Sequence, residues 1–317
     1  MCIRDRVWEF LNEPVVTDYA LPSASKGLPG AAYTVDDYIA LLKLASAAMK
    51  RADPDCVVIG GLSSGPLRLT REFIRGGGLE LVDVLNLHIY PGFARPEGFI
   101  GPMSELRRMM DQHGRRRPIW ITEYSYYGCD DLPYRPYIPP SHSWAGNRLL
   151  SDERECAEYA VKFAVIMLSA GVQKIFYHAG TSGEVNDPSL ECCLLGYAGL
   201  PRKVYAAQAA LADMLGPAPR FAGRLAGGVS EQAQPAGLYG FAFQTDQHAL
   251  LVAWADLELA GEGWRLELAP HSSACDIVGR PIAGSVVALD ETPVYVVSRS
   301  MPAGSLLQRC RLLPPDK

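Results

Sequence analysis

The sequence predicts an α/β fold, a parallel sheet flanked by helices, with a smaller antiparallel β-domain behind it. Three observations carry that reading. Apolar strand-like runs alternate with helical repeats five times between Val7 and Leu215, the pattern of a parallel sheet with helices outside. After Pro217-Ala218-Pro219 the texture changes to short alternating segments separated by turns, as in antiparallel β-domains. Two of the early apolar runs, Val7-Trp8-Glu9-Phe10-Leu11-Asn12-Glu13-Pro14 and Pro118-Ile119-Trp120-Ile121-Thr122-Glu123-Tyr124, end in a glutamate just before a loop.

The elements follow in order. The first run reads as a strand buried on both faces. A Pro/Gly/Ser-rich loop leads to Thr34-Val35-Asp36-Asp37, a helix start with acidic residues in the first turn. Tyr38, Leu41, Leu42, Ala45 and Met49 continue it at helical spacing, and Pro54 closes it. Cys56–Gly61 is a buried strand, and Leu69–Gly76 a short helix ended by glycines. Val82–Tyr90 is the next strand, cut off by Pro91-Gly92. A helix over Pro102–His113 precedes the Glu123 strand. The Pro- and Tyr-dense stretch from Ser125 to Leu150 is too long for a plain connector. Ser151-Asp152-Glu153 caps a helix to about Ala170, Val172–His178 is a strand, and Val204–Leu215 is the last helix of the series. Beyond it, Leu238–Gln244, Ala249–Ala255, Trp264–Leu268, Val286–Leu289 and Pro293–Val297 read as strands, and Met301–Lys317 as a poorly ordered tail. The expected division is 1–216, 217–300 and a tail over 301–317.

Composition excludes several function classes. A hydrophobic share of 48% over 317 residues is enough for a substantial core. Net charge of −5 leaves no basic footprint for nucleic acid. No apolar run reaches the roughly 18 residues of a membrane helix. The eight cysteines form no CxxC pair and no zinc-type spacing with histidine. Free, buried thiols are expected, with disulfides an alternative for an exported protein. No metal or other cofactor is implied. Met1–Arg6 has no signal-peptide character and resembles translated adapter sequence from metagenomic assemblies. The natural N-terminus is therefore expected upstream, with a secreted or periplasmic location left open.

Asn12-Glu13-Pro14 and Thr122-Glu123-Tyr124, with His88-x-Tyr90 between them, resemble the signature of the clan A retaining glycoside hydrolases. Gly199–Ala206 resembles the lead into the final barrel helix of that clan. The resemblance covers roughly residues 7 to 216. It implies a partial (β/α)8 TIM barrel, strands four to eight, followed by the small antiparallel β-domain. It implies Glu13 as acid/base, Glu123 as nucleophile and a carbohydrate as substrate. Asn12 is implied at the sugar 2-hydroxyl, and His88 and Tyr90 near the nucleophile. The strand-eight end, Phe176-Tyr177-His178-Ala179, lacks the tryptophan common there.

The chemistry asks for such a pair. Glycosidic cleavage needs a proton for the leaving oxygen and negative charge beneath the developing oxocarbenium ion. Carboxyls about 5 to 5.5 Å apart give retention, and about 6.5 to 9.5 Å gives inversion. Tyr90 is a candidate donor that would orient Glu123, and His88 a candidate contact to the sugar. Tyr124 and Trp144, with Tyr126, Tyr127, Tyr134 and Tyr137, are candidate sugar platforms, and His178 and Glu184 candidate rim residues. Glu9 reads as structural, and Glu153, Glu155 and Glu158 as one solvated helix face. A non-catalytic carbohydrate-binding relative and an inactive fragment are the competing readings. The sugar is open among xyloside, glucoside, mannoside and galactoside.

Overall fold

The computed structural model describes residues 5–17, 20–21, 32–129, 149–178, 194–195, 199–225 and 237–315. They divide into two compact units. The first comprises residues 1–94, 98–125 and 170–178, and the second residues 95–97, 126–169 and 179–317. The helix after Ser151 and the helix before Pro217 thus belong with the C-terminal strands by their contacts.

The first unit is built on a five-stranded, all-parallel sheet. Its strands are β1 (Val7–Glu9), β2 (Val57–Gly60), β3 (Val84–Ile89), β4 (Ile119–Tyr124) and β7 (Val172–Tyr177). Their order in the sheet is their order in the chain. A parallel sheet wound in one direction curls toward a barrel, and these strands form a parallel half-barrel. Between them lie α1 (Val35–Ala52), α2 (Arg68–Arg75) and α3 (Ile100–Gln112). Thr34 starts α1 with a capping box: its hydroxyl accepts from the Asp37 amide, and the Asp37 carboxylate accepts from the Thr34 amide at 2.8 Å, worth about 1 kcal/mol. Tyr38 and Leu42 of α1, Phe73 of α2 and Met103, Leu106 and Met110 of α3 are buried, as are Leu85, Leu87, Ile119 and Ile121 of the central strands.

One expectation is corrected at the sheet edge. β1 is not buried on both faces: it pairs only with β2, and Val7 and Trp8 are 43% and 37% exposed. An edge strand has one neighbour, so an apolar run alone does not ensure burial. The strand is also shorter than its apolar run. It stops at Glu9, and Glu13 lies in the turn beyond.

The second unit contains α4 (Glu153–Ser169) packed on α5 (Lys203–Leu215), and a short pair β5 (Tyr127–Gly128) and β6 (Leu149–Leu150). α4 is buried almost all round, as expected of a helix apolar on every face. Glu158 is not on a solvated face. It is buried, accepting from Arg154 and Thr292. The remaining strands are β8 (Arg220–Arg224), β9 (Leu238–Gln244), β10 (Ala249–Ala255), β11 (Arg265–Glu267), β12 (Ser273–Cys275), β13 (Pro281–Ile282), β14 (Val286–Ala288) and β15 (Val294–Ser298). A helix α6 (Ala303–Arg309) and a strand β16 (Arg311–Leu313) complete the unit. They form a six-stranded sheet, β13-β12-β15-β10-β9-β8, and a three-stranded one, β14-β11-β16. Leu251 and Val296 of one sheet share a core with Leu266, Val287 and Leu312 of the other.

The segment expected as a tail is therefore part of this fold through Pro315. Leu306 of α6 is fully buried, and β16 pairs antiparallel with β11. Its elements are too short for periodicity to reveal. Cys56, Cys129, Cys156, Cys275 and Cys310 are free thiols, four of them buried. Among the described residues no helix is long and apolar enough to cross a membrane.

Candidate active site

β3 supplies the spine of the site. Side chains two apart on a strand share a face, so Asn86, His88 and Tyr90 point one way, while Leu85, Leu87 and Ile89 pack on the other, buried. Each of the three polar residues holds a carboxylate. Asn86 Nδ2 donates to Glu9, His88 meets both Glu13 and Glu123, and Tyr90 Oη donates to Glu123 Oε2 at 2.5 Å.

His88 lies at the centre. Its Nδ1 is 2.9 Å from Glu13 Oε1 and 3.4 Å from Glu123 Oε2. Its Nε2 is 3.0 Å from Thr122 Oγ1 and 3.9 Å from Glu9 Oε1. The ring is 2% exposed, whereas the Glu13 and Glu123 side chains keep 14% and 25% of their surface. The imidazole is thus packed beneath two carboxylates that remain open to a ligand. One oxygen of Glu13, one nitrogen of His88 and one oxygen of Glu123 all lie within 4.8 Å of one another.

A bulge explains how two consecutive residues of β4 reach one ring. Leu87 pairs with Ile121, but His88 pairs with Glu123, so Thr122 is extra on its strand. Regular alternation would turn Thr122 and Glu123 to opposite faces. The extra residue re-aims the chain, and both side chains meet His88.

Glu13 arrives by a tight reversal. Leu11, Glu13 and Val15 have φ of 63, 47 and 64°, left-handed values rare in residues with a Cβ. Such residues cost about 1–3 kcal/mol each and concentrate at functional sites. The turn is tied by Val16 and Thr17, whose amides donate to the Glu13 carbonyl at 3.1 and 3.2 Å. Tyr38 donates to the Phe10 carbonyl from below.

Glu9 belongs to the same network. Its Oε1 accepts from Ser63 at 3.3 Å and from Asn86, and Asn86 also donates to Ser63 at 2.9 Å. Burial holds the Glu9 carboxyl above the ordinary glutamate value. The charge of Glu123 adds to that, while His88 and the hydroxyls of Ser63 and Thr122 oppose it.

The other residues singled out in the sequence are placed as follows. His178 meets the Tyr90 ring edge-on, with centroids 6.0 Å apart, and its Nδ1 is buried without a hydrogen-bond partner among the described residues. Asn12 is exposed. Tyr124 offers no platform: it is 1% exposed and packs edge-on against Tyr177, because it pairs with Ile89 on the opposite face of the sheet. Tyr126 and Tyr127 are buried, and Tyr126 packs on Tyr159 and Phe163. Trp144, Tyr134, Tyr137 and Glu184 lie outside the described residues. Sequence reasoning missed Glu9, Ser63, Asn86 and Thr122. Asn86 alone carried a signal, its two-residue spacing from His88.

Glu13, His88 and Glu123 are spaced closely enough to hold a metal ion. The donor atoms are already engaged: Nδ1 with Glu13, and Glu123 Oε2 with Tyr90. The arrangement reads as two carboxylates joined through an imidazole, equipped for proton transfer and for nucleophilic attack.

Solved structures share this fold. A family 39 glycoside hydrolase from Bacteroides cellulosilyticus matches with a TM-score of 0.64 at 20% identity, over 92% of this chain and 57% of its own. A family 30 endoxylanase from Clostridium papyrosolvens matches with a TM-score of 0.55 at 15% identity, over 93% and 66%. A family 51 α-L-arabinofuranosidase from Thermotoga petrophila matches with 0.51 at 13%, over 92% and 65%. The chain therefore has the fold of clan A glycoside hydrolases and spans less than two thirds of the length of these relatives. No family model matches it, and no curated protein matches it by sequence.

Proposed function

We propose that the chain carries the catalytic pair of a retaining glycosidase, with Glu13 as acid/base and Glu123 as nucleophile. The observation that carries the reading is the convergence of both carboxylates on His88, with oxygens within 4.8 Å of each other. An oxygen gap no wider than this is in keeping with the closely spaced pair of a retaining enzyme, whose carboxyls stand about 5–5.5 Å apart. On this reading β1, β2, β3, β4 and β7 are strands four to eight of a (β/α)8 barrel, whose chemistry belongs at the C-terminal strand ends.

In the first step Glu13 gives its proton to the leaving oxygen as the glycosidic bond breaks. A Glu123 oxygen then bonds the anomeric carbon. Tyr90 holds Oε2, which leaves the other oxygen for that bond. In the second step water attacks the same carbon, Glu13 takes its proton, and the bond to Glu123 breaks. Asn12 and His178, at the margins of the pair, are proposed sugar contacts.

The reading is tested with a panel of aryl glycosides. Glu123→Gln should lose turnover by about 10³-fold or more, and Glu13→Gln by about 10²–10⁴-fold. A Glu123→Gln variant as active as the parent would overturn the assignment.

A further inference from the structure

A cavity of about 530 Å³ lies wholly within the second unit, between α4, α5 and the turn that joins β12 to β13. Its lining carries three cationic side chains, Arg154, Lys203 and Arg280, and two carboxylates, Glu158 and Asp276, with Thr292 beside them. The catalytic reading uses none of these residues.

Both arginines are held from behind. Arg280 Nε donates to Asp276 Oδ2 at 2.7 Å, and Arg154 Nε donates to Glu158 Oε1 at 2.8 Å. Each carboxylate is itself fixed. Asp276 Oδ1 accepts from the Val278 and Arg280 amides at 3.1 and 2.9 Å, which stiffens the turn that presents Arg280. Glu158 is buried and also accepts from Thr292, whose hydroxyl oxygen takes Arg154 Nη2 at 2.7 Å. The bonds within the fold thus use Nε of Arg280, and Nε with Nη2 of Arg154. Among the described residues nothing takes the other guanidinium nitrogens, and both side chains are otherwise exposed. A guanidinium fork matches the two oxygens of a carboxylate. Forks already fixed in place lose little freedom on binding one.

The rest of the surroundings selects the kind of carboxylate. Glu158 and Asp276 stand beside the arginines, and Asp152 and Asp290 act on Arg154 from outside the lining. That negative charge disfavours a dianion such as phosphate. It also supplies acceptors for the hydroxyls of a monoanion. The volume falls within the range of about 300–1,000 Å³ usual for small-molecule sites and has room for a sugar ring. No aromatic ring lines the cavity, so a neutral sugar finds no stacking platform there, and charge must anchor the ligand.

We propose that this cavity is a carbohydrate site of the second unit, which takes a uronic acid unit by its carboxylate. The proposal rests on the glycosidase reading only for the choice of a sugar as the carrier of that carboxylate. Binding itself needs neither Glu13 nor Glu123.

The site is tested by calorimetric titration of the full chain. The probes are methyl glucuronoside, which has both ring and carboxylate, methyl glucoside, which lacks the charge, gluconate, which lacks the ring, and inorganic phosphate. Methyl glucuronoside should bind about 10- to 100-fold more tightly than methyl glucoside, and the preference should shrink as salt is raised. Arg280→Gln, at an exposed position, should erase the preference, with thermal unfolding as the check on its fold. Arg280→Lys keeps the charge without the fork and should retain only part of it. Equal binding of the two glycosides, or none, overturns the proposal, as does an undiminished preference in Arg280→Gln. Gluconate bound as tightly as the glucuronoside would mark a site for free hydroxy acids, and phosphate bound as tightly a general anion site. Either result overturns the assignment to a sugar acid. Aryl-glycoside turnover of the parent is measured alongside. Glucuronoside binding without turnover overturns the catalytic reading and leaves this site standing. Turnover without glucuronoside binding does the reverse.

Discussion

Tyr90 and Glu123 sit on neighbouring parallel segments and share a hydrogen bond of 2.5 Å, with the phenol donating to Oε2. A hydrogen bond to a charged group is worth about 1.5–3 kcal/mol, which corresponds to about 10- to 100-fold in rate if it is lost from the transition state. Tyr90→Phe should therefore lower kcat by that factor with KM little changed. Steady-state kinetics on an aryl glycoside check it, and an unchanged kcat would remove Tyr90 from the orienting role.

Glu9 makes stability depend on pH. Burial raises its carboxyl above the ordinary value of 4.5, with Glu123 adding and His88 opposing. Just above that value the folded protein keeps a proton that the unfolded chain has lost, so stability falls as pH rises. The contribution is complete below the unfolded value and disappears as pH passes the folded one. Glu9→Gln cannot ionise yet can still accept from Ser63 and Asn86. Relative to the parent it should gain stability between about pH 4 and pH 7. Urea unfolding at both values tests this, and an equal offset at the two would contradict it.

Gly61 has φ of 155°, and a Cβ there would sit 2.5 Å from Asn86 Oδ1 and 2.8 Å from the Asn86 carbonyl. Asn86 cannot retreat, since its amide holds Glu9 and Ser63. Gly61→Ala should cost about 1–3 kcal/mol and reduce turnover as well. Full stability in thermal unfolding would show that the neighbouring strand has slack.

Leu306 is fully buried in the core of the second unit. Leu306→Ala should cost about 2–5 kcal/mol, read by urea unfolding. A change under about 0.5 kcal/mol, usual for surface positions, would return this segment to the status of a tail.

The legible parts of the molecule were those whose signal is local. The parallel strands show as apolar runs, Thr34 with Asp37 announces α1, and each glutamate of the pair ends a run of that kind. Glu9 was illegible because its role depends on a fold-back. In a continuous strand Glu9 and Glu13 would stand about 13 Å apart. In the structure the chain stops being a strand at Glu9, and the reversal at Leu11–Val15 brings Glu13 to the other side of the same ring. Thr122 was hidden for a related reason: strict alternation leaves no place for two adjacent side chains on one face. Tyr124 was misread by proximity to Glu123 in sequence, although the pleat turns it into the packing against Tyr177. The C-terminal segment was too short to show a period.

The irregular pairing at Thr122 has a further consequence. Removing that residue altogether would let His88 and Glu123 face each other in a smooth ladder, with Tyr124 still beside Ile89. Such a sheet would be more regular, and the glutamate would still point inward. His88 would then lose the hydroxyl at Nε2. A shortened strand would therefore pair more smoothly but leave the imidazole untethered on that side, and the surplus residue marks where regular pairing gives way to that one contact.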